Sequence, residues 1–231
     1  MSQKFTILFD LDGTLVNTAP DLMLAHNHVM KKYGYSERKL SDIKKLAGRG
    51  SKVMLTKSMH EIAELSGKIK ETDDNVEEMT KEFIDFYSKN IFKESTLKNG
   101  VIDFLSWCKK NSITMAVCTN KQEHLSIDLL KKIKIFDFFD YVAGGNTFDY
   151  SKPNPRHLTD TIELIGGNVK KALMVGDSET DSNASKAANI PFVLIEDGYT
   201  EKKTEEIYHD YSSKDFVGLE KIIIKYLNDW I

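Results

Sequence analysis

Three clusters of polar residues, each placed directly after a short apolar run, carry the groups that this chain could use for chemistry. The clusters are Asp10 with Asp12, Thr119 with Asn120, and Asp177 with Asp181. Carboxylates that meet at one point repel one another strongly, unless a cation neutralises them or some of them stay protonated. Oxygen ligands favour a hard cation, and a partly hydrated, octahedral Mg²⁺ suits them best. A magnesium ion held there would in turn attract a phosphate group.

A phosphate group also needs hydrogen-bond donors, and neighbouring residues supply them. Thr119 offers a hydroxyl and Asn120 an amide, and the backbone after Asp10 adds N–H groups. Lys152 lies in a loop at 151–155 that contains two prolines. An ammonium in this loop can neutralise both phosphate oxygens and a nucleophile.

The apolar runs in front of these clusters predict the strands that position them. Four runs are short and continuous, as in strands buried on both faces of a parallel sheet, and a fifth is weaker. The four are residues 5–9, 113–118, 172–175 and 192–195, and the fifth is 141–143. Helical spacing of apolar residues lies between them, which indicates an α/β sheet with right-handed crossovers. Ligands bind outside the carboxyl ends of the strands in such sheets, so we expect the polar clusters to converge.

One interval is far too long for a single crossover, since about 100 residues separate Phe9 from Ile113. This interval is rich in helical signals, and no strand-like run appears between Thr18 and Asn90. At its start, Thr18 offers a capping hydroxyl ahead of Pro20 and Asp21 in a first helical turn. We therefore expect an all-helical domain inserted after the first strand. The predicted domains are this helical domain at 16–90 and a core formed by 1–15 and 91–231.

Composition excludes several other classes of protein. The chain has 231 residues, with 32 Lys+Arg against 35 Asp+Glu and a net charge of −3, whereas a dedicated nucleic-acid binder would carry a basic excess. Its apolar stretches fall far short of the roughly 18 residues that a membrane span needs. No signal-peptide pattern is present at the N-terminus, and two cysteines are too few for a disulfide framework. We expect a cytoplasmic protein with free thiols.

Four short motifs follow one another along the chain. They are Asp-x-Asp-Gly-Thr at 10–14, Thr-Asn at 119–120, Lys-Pro at 152–153 and Gly-Asp-Ser-x-x-Asp at 176–181. In this order they resemble the motifs of the haloacid dehalogenase-like phosphohydrolases, and the resemblance covers the whole chain. It implies a Rossmann-like core with a small helical cap between the first two motifs. The acid at Asp12 indicates the phosphate-transfer branch of the family, since the dehalogenases lack it.

Three further stretches resemble the phosphoglycolate phosphatases within this family. They are residues 14–22, the loop Gly48-Arg49-Gly50, and Gly198-Tyr199. Asn17 is a departure, because those enzymes more often carry Asp at this position. The resemblance implies hydrolysis of a small anionic phosphomonoester such as 2-phosphoglycolate. Arg49, between two glycines that allow close backbone approach, is then the candidate contact for a substrate carboxylate or second anion.

The resemblance also implies the catalytic roles. Asp10 attacks phosphorus and forms an aspartyl-phosphate, while Asp12 gives a proton to the leaving alcohol and later takes one from the attacking water. To donate, Asp12 must be protonated when substrate arrives. Mg²⁺ is bound by the carboxylates of Asp10 and Asp177 and by the main-chain carbonyl of Asp12.

The remaining polar residues are implied to support this reaction. Thr119, Asn120 and Lys152 hold the oxygens of the transferring phosphoryl group. Asp181 orients Lys152 or a metal-bound water. The helical cap closes over the site, excludes bulk water and recognises the leaving group.

The expected activity is Mg²⁺-dependent hydrolysis of a small phosphorylated metabolite, with no nucleic-acid or membrane partner. Nucleotidase, pyrophosphatase and β-phosphoglucomutase activities are alternatives. Mutases of the family carry a histidine soon after the first motif, whereas the nearest one here, His26, lies deep in a helical pattern. A non-catalytic binding module is expected to lose Asp10, Asp12 or Asp177, and all three are present. The sequence leaves open whether the protein is a monomer or a homodimer.

Overall fold

The computed structural model describes residues 4–48, 50–66 and 73–228. Within these ranges, six parallel strands form one sheet and two short strands pair separately. In chain order the strands are β1 (Thr6–Phe9), β2 (Val16–Asn17), β3 (Thr96–Leu97), β4 (Thr114–Cys118), β5 (Tyr141–Ala143), β6 (Ala172–Gly176), β7 (Phe192–Ile195) and β8 (Tyr211–Ser213). The sheet has the order β5-β4-β1-β6-β7-β8, so its first strand lies in the middle. The five strands that the apolar runs predict are confirmed as β1, β4, β5, β6 and β7.

Helices cover the sheet and fill the long interval after β1. The α-helices of the described ranges are α1 (Ala19–Lys32), α2 (Leu40–Leu46), α3 (Ser51–Ser66), α4 (Asp73–Lys89), α5 (Val101–Lys110), α6 (Glu123–Lys132), α7 (Arg156–Leu164), α8 (Glu179–Ala188) and α9 (Glu220–Asn228). The first four follow one another between β2 and β3, and α4 packs against both α1 and α3. These four helices lie in the interval where the sequence predicts a helical insert, and we call them the cap. Along the described residues, no helix has the length and apolar character that a membrane crossing requires.

The strands bury side chains on both faces, as their continuous apolar character predicts. On one face, Phe9 packs edge-on against Phe104 of α5, with their ring centroids 6.2 Å apart. On the other face, Leu8 belongs to a cluster with Leu158 of α7 and Ala184 of α8. The α/β fold with helices on both sides of a parallel sheet is thus the predicted one. The core also buries both cysteines as free thiols, Cys108 and Cys118.

The short strands β2 and β3 mark where the chain leaves the core and returns to it. They pair antiparallel, with Val16 opposite Leu97 and Asn17 opposite Thr96. The two ends of the cap are therefore held side by side, and we call this pair the hinge. Two-residue strands give no periodic signal, so the sequence does not predict them.

Helix α1 begins where the sequence predicts, but its first turn bonds differently. The Thr18 side chain caps no helical N–H group, and its hydroxyl lies 3.5 Å from that of Tyr199. Asp21 accepts hydrogen bonds from the backbone N–H groups of residues 93–95 at 2.9 to 3.0 Å. The predicted capping role of Thr18 is wrong, because tertiary contacts beside the hinge engage these side chains instead.

Candidate active site

The carboxyl ends of three neighbouring strands bring the predicted polar clusters to one edge of the sheet. β1 lies between β4 and β6 in parallel register, and Asp10, Thr119 and Asp177 follow these strands. Gly13 lets the loop after β1 approach closely, because a Cβ there would lie 2.2 Å from an oxygen of Asp177. Its φ of +87° also favours glycine. The fold thus places residues more than 100 positions apart within contact distance.

Lys152 joins two of these carboxylates. Its Nζ lies 2.8 Å from Oδ1 of Asp10 and 2.6 Å from Oδ1 of Asp181. All three side chains are buried. Burial raises the pKa of Asp10 to about 6, although the Lys152 ammonium acts in the opposite direction. Burial alone would lower the pKa of Lys152, but the two carboxylates outweigh it and raise this pKa overall. Lys152 therefore stays charged and keeps Asp10 largely ionised at neutral pH.

Asp181 is held by the start of α8 on its other side. Its Oδ2 accepts hydrogen bonds from the backbone N–H of Ser178 at 3.1 Å and from the Ser178 hydroxyl at 2.7 Å. The backbone N–H of Asp177 also donates to this oxygen, at 3.2 Å. Asp181 thus caps the start of α8 and also contacts Lys152.

Asp177 is fixed by two donors and faces two other acids. The Thr14 hydroxyl donates to Oδ1 at 2.7 Å, and the backbone N–H of Tyr199 donates to Oδ2 at 2.6 Å. Burial, together with the charges of Asp10 and Asp181, raises the pKa of Asp177 well above its ordinary value. Such a shift identifies a carboxylate that lacks sufficient positive charge around it.

This cluster has the composition of a divalent-cation site. Carboxylate oxygens of Asp10, Asp177 and Asp181 lie within 4.8 Å of one another. The Lys152 ammonium offsets only one of these three negative charges. An all-oxygen donor set with uncompensated negative charge fits a hard divalent cation. Of the predicted ligands, the structure brings the carboxylates of Asp10 and Asp177 together and adds Asp181 beside them.

Asp12 pairs with Lys121, a residue to which the sequence motifs assign no role. Nζ of Lys121 lies 3.0 and 3.2 Å from the two carboxylate oxygens of Asp12. It also donates to the Tyr87 hydroxyl at 3.0 Å, and it lies 4.2 Å from the centroid of that ring. Tyr87 belongs to the cap helix α4, so this contact joins cap and core. The sequence feature that could have indicated Lys121 is its position directly after Thr119 and Asn120, at the end of a predicted strand.

Thr119 and Asn120 make loop contacts. The Thr119 hydroxyl accepts from the backbone N–H of Lys121 at 3.3 Å. The Asn120 amide donates to the backbone oxygens of Gly48 at 3.2 Å and of Lys152 at 2.9 Å. Asn120 thus fixes the loop that carries Lys152 and touches the cap loop. Phosphate binding by Thr119 and Asn120 stays a prediction.

A cavity of about 340 Å³ lies between the core edge and the cap. Asp10, Asp12 and Lys121 line it from the core, while Phe83 and Tyr87 line it from the cap. Arg49, the predicted contact for a substrate anion, lies outside the described residues. The cavity thus has acidic groups on one side and apolar groups on the other, and a small ligand could fill it.

Comparisons with known proteins agree with this arrangement. The family model for haloacid dehalogenase-like hydrolases matches residues 7–195. A phosphoglycolate phosphatase of Mesorhizobium japonicum is 39% identical over 87% of this chain and 86% of its own. One of Agrobacterium fabrum is 35% identical over 94% of each chain. The crystal structure of a predicted phosphoglycolate phosphatase from Haemophilus somnus superposes with a TM-score of 0.90, at 28% identity, over 96% of this chain and 99% of that one.

The chain therefore belongs to the haloacid dehalogenase-like hydrolases. Within this family it groups with the phosphoglycolate phosphatase-like members, and it is a phosphoric monoester hydrolase.

Proposed function

We propose that this enzyme hydrolyses 2-phosphoglycolate in a Mg²⁺-dependent reaction through an aspartyl-phosphate on Asp10. The observation that carries the proposal is the position of Asp10, which lines the cavity, contacts Lys152 and lies within 4.8 Å of Asp177 and Asp181. A nucleophile, a fixed cation and a divalent-cation cluster thus share one edge of the sheet.

In the first half of the reaction, a carboxylate oxygen of Asp10 forms a bond to phosphorus and the ester P–O bond breaks. Asp12 gives its proton to the leaving oxygen, which departs as an alcohol. In the second half, water attacks the phosphorus of the aspartyl-phosphate while Asp12 takes a proton from this water. The bond between the Asp10 oxygen and phosphorus breaks, so that inorganic phosphate leaves and the Asp10 carboxylate is regenerated. The pKa of about 6 for Asp10 supports its role, because the group is then mainly a carboxylate at neutral pH.

Asp10 and Asp177, together with the main-chain carbonyl of Asp12, would hold the magnesium ion. The ion would offset negative charge that develops on the transferring oxygens. Lys152 provides a second positive charge against Asp10, and Asp181 keeps Lys152 in place at 2.6 Å. Thr119 and Asn120 line the same cavity, where they would contact the oxygens of the transferring phosphoryl group.

Phosphoglycolate as the substrate rests on two supports. The relatives named above carry that activity in their names at up to 39% identity. The cavity of about 340 Å³ suits a small phosphomonoester, and cap side chains close it opposite the catalytic edge.

The test combines a substrate panel with a nucleophile variant. With Mg²⁺ present, we expect phosphate release from 2-phosphoglycolate to exceed that from other phosphorylated metabolites, and we expect EDTA to abolish it. Asp10→Asn should lower kcat at least about 10³-fold, because an amide cannot form the covalent intermediate. Free-phosphate assays under steady-state conditions measure all three effects.

Asp85→Asn is the matched control for Asp10→Asn. Asp85 lies on α4, and its only described ion pair is with Lys89, where both side chains are more than 60% exposed. Wild-type rates are expected for this variant. Near-normal turnover of Asp10→Asn would contradict the covalent route, whereas a different preferred ester would contradict only the proposed substrate.

A further inference from the structure

Lys121 is a buried cation on the wall of the candidate cavity. Its side chain is 5% exposed, and its ammonium contacts Asp12 from the core and Tyr87 from the cap. Burial alone would lower the pKa of Lys121, but Asp12 and Tyr87 outweigh it and raise this pKa, so the group is charged at neutral pH. The mechanism above gives this charge no role.

We infer that Lys121 binds an anionic group on the leaving alcohol and thereby selects phosphomonoesters whose alcohol carries a carboxylate beside the ester carbon. This inference rests on the proposed function, in which Asp12 protonates the leaving oxygen. It assigns to a core lysine the recognition of the substrate's second charge.

The leaving alcohol would lie close to Lys121 in the proposed reaction. If Asp12 donates its proton to the ester oxygen, the alcohol must lie against the Asp12 carboxyl group. Nζ of Lys121 lies 3.0 and 3.2 Å from the oxygens of that group. In phosphoglycolate only one methylene separates the ester oxygen from the carboxylate. A carboxylate there comes within contact distance of Lys121.

The Lys121 ammonium has enough N–H groups to bind a ligand as well as its protein partners. A lysine ammonium has three N–H groups. The two oxygens of the Asp12 carboxylate can share one of these N–H groups in a bifurcated hydrogen bond. The Tyr87 hydroxyl accepts a second N–H group at 3.0 Å. One N–H group then remains for a ligand in the cavity that Lys121 lines.

The positive charge of Lys121 is also less screened by solvent than that of the other lysine described at this cavity. Among the described residues, Lys52 is the other lysine that lines this cavity, but its side chain is 61% exposed and pairs with Glu77. Solvent therefore weakens its attraction for a ligand. Lys121 acts from a buried position against the ring of Tyr87, where water screens the charge less.

The test compares two esters of nearly equal size on two enzymes. 2-Phosphoglycolate carries the carboxylate, and 2-hydroxyethyl phosphate replaces it with a neutral hydroxymethyl group. We expect the wild-type enzyme to prefer phosphoglycolate. Lys121→Met should reduce this preference in kcat/KM about 10- to 100-fold, mainly through KM, because a charge-assisted contact to the bound ester is lost. Lys121→Arg, which retains the charge, should keep part of the preference.

Lys57→Met is the matched control. Lys57 also joins cap to core, through a 2.7 Å ion pair with Glu201, but it lies outside this cavity. Its ratio of kcat/KM values should equal that of the wild type. If Lys121→Met lowers both activities equally, Lys121 acts only through Asp12 or through folding, and the inference is wrong.

A second measurement uses the unmodified enzyme and does not depend on the folding of a variant. Glycolate, which retains the carboxylate, should inhibit phosphoglycolate hydrolysis competitively, whereas ethylene glycol at the same concentration should not. Equal effects of the two would overturn the inference while phosphoglycolate remained the substrate. A wild-type enzyme that does not favour phosphoglycolate over 2-hydroxyethyl phosphate would overturn both the inference and the proposed substrate.

Discussion

Tyr199 connects the candidate metal cluster with the start of the cap. Its backbone N–H donates to Asp177 at 2.6 Å. Its hydroxyl accepts from the backbone N–H of Ala19 at 2.6 Å and donates to Oδ1 of Asn17 at 3.0 Å. One residue therefore positions the Asp177 carboxylate with its main chain and the hinge with its side chain. Asn17 supplies the oxygen that this contact needs, as an aspartate would.

Tyr199→Phe removes the hydroxyl and leaves the backbone contact to Asp177 in place. We expect kcat/KM to fall about tenfold, because the cap then loses a fixed position over the site. The free energy of unfolding should fall by about 1 kcal/mol, since the N–H of Ala19 loses its acceptor. Steady-state kinetics and urea unfolding measure the two effects.

Tyr208→Phe is the control for this variant, because Tyr208 is exposed and its hydroxyl donates to Asp210 at 3.3 Å, its one described partner. Both quantities should stay at wild-type values in the control. Equal behaviour of the two phenylalanine variants would show that the Tyr199 hydroxyl does not position the cap.

The residues at strand ends could be predicted, because their chemistry and order are local properties of the sequence. Asp10 and Asp177 meet as the convergence of β1 and β6 requires, and Lys152 contacts Asp10 from the loop after β5. Lys121 could not be assigned a role in the same way. Its partner Tyr87 lies on a cap helix, and only the packing of cap against core brings the two together.

At the scale of elements, Asp21 connects the first helix of the cap with the segment that runs from the cap back to the core. This buried carboxylate in the first turn of α1 accepts three backbone N–H groups from residues 93–95, and the Ser95 hydroxyl also donates to it. The residues before β3 are thus tied to the first turn of the cap. Such an arrangement stabilises the position of α1 beside the hinge.

Asp21→Asn should lower the free energy of unfolding by about 2 to 3 kcal/mol. The amide introduces N–H groups opposite N–H donors and leaves buried donors without a charged acceptor. Thermal or urea unfolding, followed by circular dichroism, gives the value. The exposed Asp85→Asn change should cost no more than about 0.5 kcal/mol, and a similar loss for both variants would contradict the role of Asp21.

Element prediction succeeded where burial is continuous and failed where elements are short or half-buried. The strands of the sheet interior have unbroken apolar runs. β8 (Tyr211–Ser213) lies at the sheet edge with partly exposed side chains and contains two serines, so it gives no such run. The pairing of β2 with β3 depends on residues about 80 positions apart.

At the scale of the whole molecule, His157 makes stability depend on pH. It is fully buried, and its Nε2 lies 3.1 Å from the backbone oxygen of Gly144. Burial, assisted by the nearby charge of Lys152, lowers the pKa of His157 to about 4. Between pH 6.5 and 4 the unfolded chain therefore binds a proton that the folded protein does not. The contribution of His157 is complete above pH 6.5 and is lost as the pH falls.

His157→Gln should remove this dependence while keeping a donor toward Gly144. The difference in unfolding free energy between the wild type and the variant should shrink by about 2 kcal/mol from pH 7.5 to pH 5. Asp10, whose raised pKa acts in the opposite direction, is common to both proteins and cancels. Urea unfolding at a series of pH values gives this difference. Parallel stability curves would mean that His157 does not resist protonation in the fold.

The middle position of β1 has a consequence for how the protein is made. Residues 6–9 are synthesised well before their neighbours in the sheet, residues 114–118 and 172–176. During synthesis this apolar segment has no sheet partner until about 105 further residues have emerged, and its second partner follows only after more than 160. The cap helices, whose contacts are closer in sequence, can form in the meantime. Assembly of the candidate active site is therefore a late event in the biogenesis of this enzyme.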